Sequence, residues 1–296
     1  MRRLRFAFVL IFSLILCCLP ALAGDDWKPI SPEELQMTSV PGAEGAHAVI
    51  LYYEDILNDH ASVENIYVRI KILSQEGRKY ANVELPPYFG NHFVGSIKAR
   101  TVQPDGTVVP FDGQVFTKTV VRRKRFQLYT KTFSIPDVQV GSIIEYRYDQ
   151  HNPVLPLRNQ SIILQHDLFT RKAHIEIIRV MHYAYSYAWF GLGDKMHPVQ
   201  THERFSVDVE NVPAFEKEDY MPPEQEARAR LVVFKGYTNF SEPEKFWREE
   251  GDYWRKAVEL FLDRKNAMRS EADELLRGAT TPEEKLRRIY DLRPNH

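Results

Sequence analysis

Tyr183, Tyr185, Tyr187 and Trp189 recur at every second position, so in a strand their rings share one face. Such a row does one of two things: it stacks against the apolar faces of sugar rings, or it forms the inner face of a β-sheet packing. The sequence leaves both open, and these four residues are the candidate ligand-binding set. His182, His197 and His202 fall near one another, with Glu203 beside the last. A metal site would also need converging strands and a partner orienting each ring, which spacing does not supply, and no metal is expected. Arg122-Arg123-Lys124-Arg125 is a compact basic run between two strands. It suits anionic polymers or headgroups, or simply a solvated hairpin end.

The motifs that would announce a cofactor or a nucleophile are missing. The chain has no G-x-x-x-x-G-K-S/T phosphate loop, no G-x-G-x-x-G turn, no G-x-S-x-G elbow and no H-E-x-x-H helix. Gly191-Leu192-Gly193 lacks the third glycine and reads as a loop between strands. No cofactor and no catalytic residue is expected, and the chain reads as a non-enzyme.

Export is written at the N-terminus. Arg2, Arg3 and Arg5 precede the uncharged apolar run Phe6–Leu19, and Ala21-Leu22-Ala23 places small residues where a signal peptidase reads them. The run is shorter than the ~20 residues that cross hydrocarbon, which favours a cleaved leader over residues 1–23 and no transmembrane segment after its removal. Both cysteines, Cys17 and Cys18, lie inside it. The mature chain thus has no disulfide, thiolate metal site or cysteine nucleophile, and a periplasmic or secreted location is expected. Lys and Arg number 39 against 40 Asp and Glu, so no field exists to attract nucleic acid. An envelope glycan or protein is the more fitting partner. With 44% hydrophobic and 27% charged residues the chain is a folded globular protein.

The elements follow from periodicity. Ser31-Pro32-Glu33-Glu34 is a capping box with a first-turn proline, so residues 24–45 form an extension with a short helix through about Met37. Residues 46–240 alternate apolar and polar positions between turn signals, the mark of half-buried antiparallel strands. In Asn65–Ser74, Ile66, Val68, Ile70 and Ile72 face one way and Tyr67, Arg69 and Lys71 the other. Pro104-Asp105-Gly106 is a turn between strands. Further strands are expected over 114–121, 126–135, 142–150, 161–169, 174–184, 204–209 and 231–237. Residues 241–296 switch to helical spacing, with Trp247, Trp254, Val258 and Phe261 on one face and Gly251 as a possible break. Two further helices start near Ser270 and Thr281. The fold class is mainly β, an antiparallel β-sandwich followed by a short C-terminal α-helical segment.

Several segments then occur together in a familiar order. They are Ala48-Val49-Ile50-Leu51-Tyr52-Tyr53-Glu54, Arg69-Ile70-Lys71-Ile72-Leu73-Ser74, Ile97-Lys98-Ala99-Arg100-Thr101, Gly141-Ser142-Ile143-Ile144-Glu145-Tyr146 and Asn211-Val212-Pro213-Ala214-Phe215. The chain resembles bacterial exported proteins in which a β-rich domain of unknown function precedes a transglutaminase-like domain. That resemblance implies a sandwich followed by a papain-like domain using Cys, His and Asp. Residues 241–291 look like its leading helices, while Leu292-Arg293-Pro294-Asn295-His296 departs from the pattern and the catalytic region is missing from this chain. Three functions are weighed: a non-catalytic exported binding or scaffold module, an enzyme with an unrecognised site near the histidines, and the N-terminal fragment of a transglutaminase-like protein. N-terminal sequencing of the exported form should give Gly24 as the first residue; a retained Met1 in a membrane pellet would overturn the leader.

Overall fold

The isoleucine row of residues 66–72 needs a second layer over it, and the structure supplies one. A computed structural model describes residues 27–89, 92–123, 126–151, 159–193, 196–236, 242–263 and 266–291. The leader, Lys124, Arg125, Tyr237 and residues 292–296 lie outside these, as do the side chains of Phe261 and Met268.

In chain order the elements are helix α1 (Pro32–Gln36) and strands β1 (Ala48–Asn58), β2 (Val63–Ile72), β3 (Asn82–Glu84), β4 (Tyr88–Phe89), β5 (Phe93–Val102), β6 (Val108–Pro110) and β7 (Phe116–Arg123). They continue with β8 (Phe126–Ser134), β9 (Ile143–His151), β10 (Asn159–Ile163), β11 (Thr170–Ile178), β12 (Ala184–Phe190), β13 (Val199–Gln200) and β14 (Arg204–Val212). Helix α2 (Glu224–Ala227), strand β15 (Arg230–Gly236) and helices α3 (Pro243–Asp263), α4 (Asn266–Leu275) and α5 (Pro282–Asp291) complete the chain. The chain is mainly β, as its periodicity requires.

One sheet of eight strands, in the order β13-β14-β11-β1-β2-β9-β5-β6, is the frame. Two small sheets cover it: β10-β15-β12, and a second in which β8 carries β3 and β4 on one side and β7 on the other. Ile66, Val68, Ile70 and Ile72 are all buried and pack with Val83, Leu85, Phe133 and Ile135 from the second small sheet and its flanks. Ile175, Ile177, Phe205 and Val207 pack with Ile162, Leu231 and Val233 from the first. Each such side chain contributes about 1.5–3 kcal/mol by leaving water.

Register shows that both covers sit on the same face. Asp55 of β1 lies opposite Ile66 of β2 and beside Ile175 of β11, so one row of side chains runs from the first core into the second. Tyr53, two residues earlier on that face, packs against both. The β1–β11 pair is parallel, the exception among otherwise antiparallel pairings of the described strands. Parallel neighbours require a long crossover, and everything from β2 to β10 is that crossover.

Other boundaries moved for local reasons. The strand expected over 174–184 ends at Ile178, because a turn with Tyr183 N–H donating to Val180 C=O intervenes before β12. The strand expected over 161–169 stops at Ile163. The capping box of α1 forms as read, with Glu34 N–H donating to Ser31 Oγ at 3.1 Å and Ser31 N–H to Glu34 Oε2 at 2.8 Å. The Pro-Asp-Gly turn joins β5 to β6, Gly106 taking the left-handed φ of 90° that favours glycine. Gly251 does not split α3. Its ~1 kcal/mol cost is absorbed within a long helix that Arg255 braces through Asp252 and Glu259.

At the seam between the two cores, Asp55 is buried beside the carboxyl of Glu64, with the Tyr53 hydroxyl donating to Asp55 at 3.4 Å and Gln160 Nε2 to Glu64 at 3.2 Å. Burial and then the Glu64 charge push Asp55 well above the ordinary carboxylate range, and burial pushes Glu64 up as well. The protonated form therefore belongs to the folded state. Its stabilisation is full below the unfolded carboxylate value of about 4 and is lost as pH rises toward the raised value. Relative to the parent, Asp55→Asn should gain in urea midpoint as pH rises from about 4 toward neutral. An unchanged difference across that window would refute the raised value.

Candidate functional site

The opposite face of the large sheet carries charge where a core would carry hydrocarbon. Register on three neighbouring strands puts Glu145 of β9 between Arg69 of β2 and Arg100 of β5. Arg69 Nε meets Glu145 Oε1 at 2.7 Å, and Arg100 Nε meets Glu145 Oε2 at 2.6 Å, with Glu145 fully buried. The Tyr67 hydroxyl donates to the same carboxylate. Burial works against the charge of Arg69, but Glu145, Tyr67 and Glu34 outweigh it and hold its pKa above the ordinary arginine value. Burial and then Glu145 push the Tyr67 hydroxyl up, which keeps it a donor.

The N-terminal extension is the lid on this cluster. Arg69 Nη1 donates to Pro29 C=O at 3.1 Å and to the Glu34 carboxylate, and Nη2 donates to Lys28 C=O at 2.6 Å. Trp27 lies under Arg100, the guanidinium carbon 4.6 Å from a ring centroid. Lys71, wholly buried, has only carbonyls for partners: its Nζ donates to Leu35 C=O at 2.7 Å and Gly141 C=O at 2.6 Å. Burial accordingly pulls its pKa below the usual lysine value, with Glu34 partly offsetting this. Val40, Val49, Leu51, Val102, Ile143 and Phe169 seal the far end as a third apolar cluster.

Beside this strap the sheet stays open. A cleft of about 1220 Å³ runs between residues 28–41 and the strands, its floor formed by Tyr52, Arg69, Arg171, Lys172, Glu210 and Asn211. Lys28 pairs with Glu54 at 2.7 Å and lies 5.2 Å from the Tyr52 ring. Arg171 pairs with Glu33 at 3.1 Å and Lys172 with Asp208 at 3.6 Å. The walls are thus hydrogen-bonding groups of both signs around one aromatic ring. Such a lining suits a neutral polyhydroxylated or amide-rich ligand better than a strong anion or cation.

The residues singled out by sequence sit elsewhere. The hydroxyl of Tyr185 donates to Asp59, Tyr187 stacks on Phe205 at 4.0 Å, and both pack against the second core. Tyr183 is half-buried, the Lys235 ammonium 4.0 Å from its ring. Only Trp189 is exposed, at 38%. The four rings do not make one open stacking platform, because strand β12 turns the alternation toward the large sheet. His182, His197 and His202 are exposed, and among the described residues no group of metal-ligating side chains converges. Gly191-Leu192-Gly193 is the loop after β12, with Leu192 buried. Sequence reasoning missed the Arg69, Glu145 and Arg100 cluster as a site, although all three fall in segments that carry the family resemblance. Charged residues alternating with buried isoleucines were the available signal; their neighbours across the sheet were not.

Comparison with known proteins bears on the fold. A family model, the domain of unknown function with a solved structure, DUF3857, matches residues 58–216, more than half of the chain. A structure described as a "putative protease" from Parabacteroides distasonis superposes with a TM-score of 0.61 at 17% identity, covering 83% of this chain and 49% of that one. The chain thus spans about half the length of that protein, and at this identity the likeness concerns the fold alone. Leukotriene A4 hydrolase from Saccharomyces cerevisiae gives a TM-score of 0.34 at 7% identity, covering 71% of this chain and 33% of that one, which carries no argument. Among curated proteins there is no match.

Replacing Glu145 leaves two guanidiniums buried around a neutral group. Glu145→Gln should cost about 3–5 kcal/mol in urea unfolding. Limited proteolysis should then cut within residues 27–41 before the rest of the chain. Strap cleavage no faster than in the parent would show that the cluster does not hold it.

Proposed function

This chain belongs to the DUF3857 family, and from that premise we propose that it is a non-catalytic, exported β-sandwich module that works by binding in the cell envelope. The observation that carries this reading is the strap cleft. It is large enough for several sugar rings or an extended peptide, it is lined by paired charges and amides, and its floor is a rigid sheet. The positively charged start, apolar run and Ala-Leu-Ala site at the N-terminus support export to the periplasm or beyond. Both cysteines fall in that leader, which supports a role other than thiol-based acyl transfer.

A second reading rests on the C-terminal helices. Trp247, Trp254, Val258 and Leu260 of α3 and Leu286, Ile289 and Tyr290 of α5 are all more than half exposed. Exposed apolar residues in such number mark a surface made for a partner. Together with the likeness in fold to a chain about twice as long, they favour a role as one part of a longer protein, which on the sequence resemblance alone would be a transglutaminase-like one. The cleft would then present ligand to a catalytic domain using Cys, His and Asp.

Calorimetric titration of residues 24–296 with soluble peptidoglycan fragments tests the binding reading. Tyr52→Ala should weaken binding by about 1 kcal/mol, roughly fivefold, from lost ring contact, whereas Trp189→Ala should leave it unchanged. Loss in the Trp189 variant alone would return the site to β12. Deamidation of peptide glutamine or proteolysis that survives repurification would refute the non-catalytic reading.

A further inference from the structure

Strand β7 departs from the rest of the sandwich. Every residue from Phe116 to Arg123 is exposed except the half-buried Val121, so neither face of the strand is covered. One edge pairs with β8, with a register shift between Thr119 and Val121. Among the described residues the other edge pairs with nothing: the backbone groups of 116–123 make no hydrogen bond beyond the β8 ladder. The two edges of the large sheet are blunter. β13 has two residues and β6 three, ending in Pro110, and both devices discourage strand addition.

The side chains on β7 say what the free edge excludes and what it admits. Lys118, Arg122 and Arg123 stand on it; Lys118 is paired at 3.4 Å with Glu84, and the two arginines make no ion pair among the described residues. Two copies of β7 paired antiparallel about Val120 would set Lys118 against Arg122, and like charges directly opposite are destabilising. Parallel pairing would set each cation beside its own copy. The same charges attract a strand carrying carboxylates. Phe116 and Val120 are about half exposed, and Val83, Phe111, Phe116 and Phe133 help line a hollow of about 410 Å³ at the start of the strand. A chain laid along β7 thus meets open backbone donors and acceptors, cations, and a place for an apolar side chain.

The geometry points to β7 as a docking edge for an extended acidic polypeptide segment that adds to the small sheet as a further antiparallel or parallel strand. Backbone pairing gives the affinity and the cations give the selection, the mode of strand addition. A lipid headgroup or a glycan uses the charge alone and leaves the backbone edge unpaired.

The probe is a fluorescein-labelled nine-residue peptide of alternating valine and glutamate, titrated by anisotropy into the mature chain. Three comparison probes accompany it: the valine–lysine peptide, the acidic peptide N-methylated at alternate residues in each of the two phases, and phosphatidylglycerol vesicles. The acidic peptide should bind and slow amide exchange within 116–123, and binding should weaken several-fold at high salt. The lysine peptide should not bind, and one of the two N-methylated phases should lose binding, because it removes the donors that face β7. Charge reversal of the exposed pair, Arg122→Glu with Arg123→Glu, should weaken the acidic peptide at least tenfold while the thermal midpoint holds. Equal binding of both N-methylated peptides or of the lysine peptide would overturn the proposal. So would unchanged affinity in the reversed variant, or binding to vesicles without binding to peptide.

Discussion

A carboxylate shared by two guanidiniums in the middle of a sheet cannot be left half-covered. Taking Glu145, Arg69 and Arg100 out of water costs several kcal/mol per ion, and only close geometry with every remaining donor satisfied repays it. The pairings at 2.7 and 2.6 Å supply the geometry. The remaining donors of Arg69 need acceptors, and the strap brings them as the carbonyls of Lys28 and Pro29 and the carboxylate of Glu34. Lys71 repeats the arrangement with carbonyls alone. The N-terminal extension is therefore a structural layer of the domain, and the capping box that starts α1 also aims Glu34 at Arg69.

The other face obeys a different constraint. β1 is central to the large sheet, antiparallel to β2 and parallel to β11. Because a parallel neighbour cannot be reached by a hairpin, the chain completes one lobe before it returns to start the other. The two small sheets are laid side by side on one face, and a seam between them is unavoidable. Tyr53 fills it from the apolar side. Asp55 and Glu64 fill it on the same face, and burial there favours their protonated forms. Lys235 and Asp59, 2.5 Å apart and both buried, close the second lobe in the same way, with Tyr185 as a further donor to Asp59.

How much of this was legible depended on whether one strand sufficed to read it. The isoleucine row of β2, the Ser31 and Thr281 caps and the Pro104-Asp105-Gly106 turn are local, and all form as read. The Arg69, Glu145 and Arg100 cluster spans three strands separated by dozens of residues, and alternation alone gives no register between them. Arg69 and Lys71 looked like the polar face of a half-buried strand, since nothing local announces that residues 27–41 return to cover them. The aromatic alternation of β12 was ambiguous for the same reason: which face of a strand looks inward is decided by the neighbouring sheet. The parallel β1–β11 pair lay beyond local reading altogether, for neither strand differs in pattern from an antiparallel one.

Where the covers end explains where the cleft begins. Eight strands spaced about 4.8 Å apart make a sheet roughly 35 Å wide, while the five-residue helix of the strap spans only about 7.5 Å. The strap is fixed over β5, β9 and β2 by the arginine and lysine anchors, and toward β11 the exposed Glu33–Arg171 pair bridges the cleft at 3.1 Å. Strands β11 and β14 turn Lys172 and Glu210 to the open side, Ala173, Val207 and Val209 are buried beneath the first small sheet, and Arg171 and Asn211 reach the cleft where the alternation breaks at the strand ends. Away from that break, from Ala173 to Ile177 and from Phe205 to Val209, the period-2 pattern holds, apolar inward and polar outward. The polar floor of the cleft lies under the edge of the strap, on the face of the large sheet opposite the small sheets, which leaves it open from the side and backed by the second core from below.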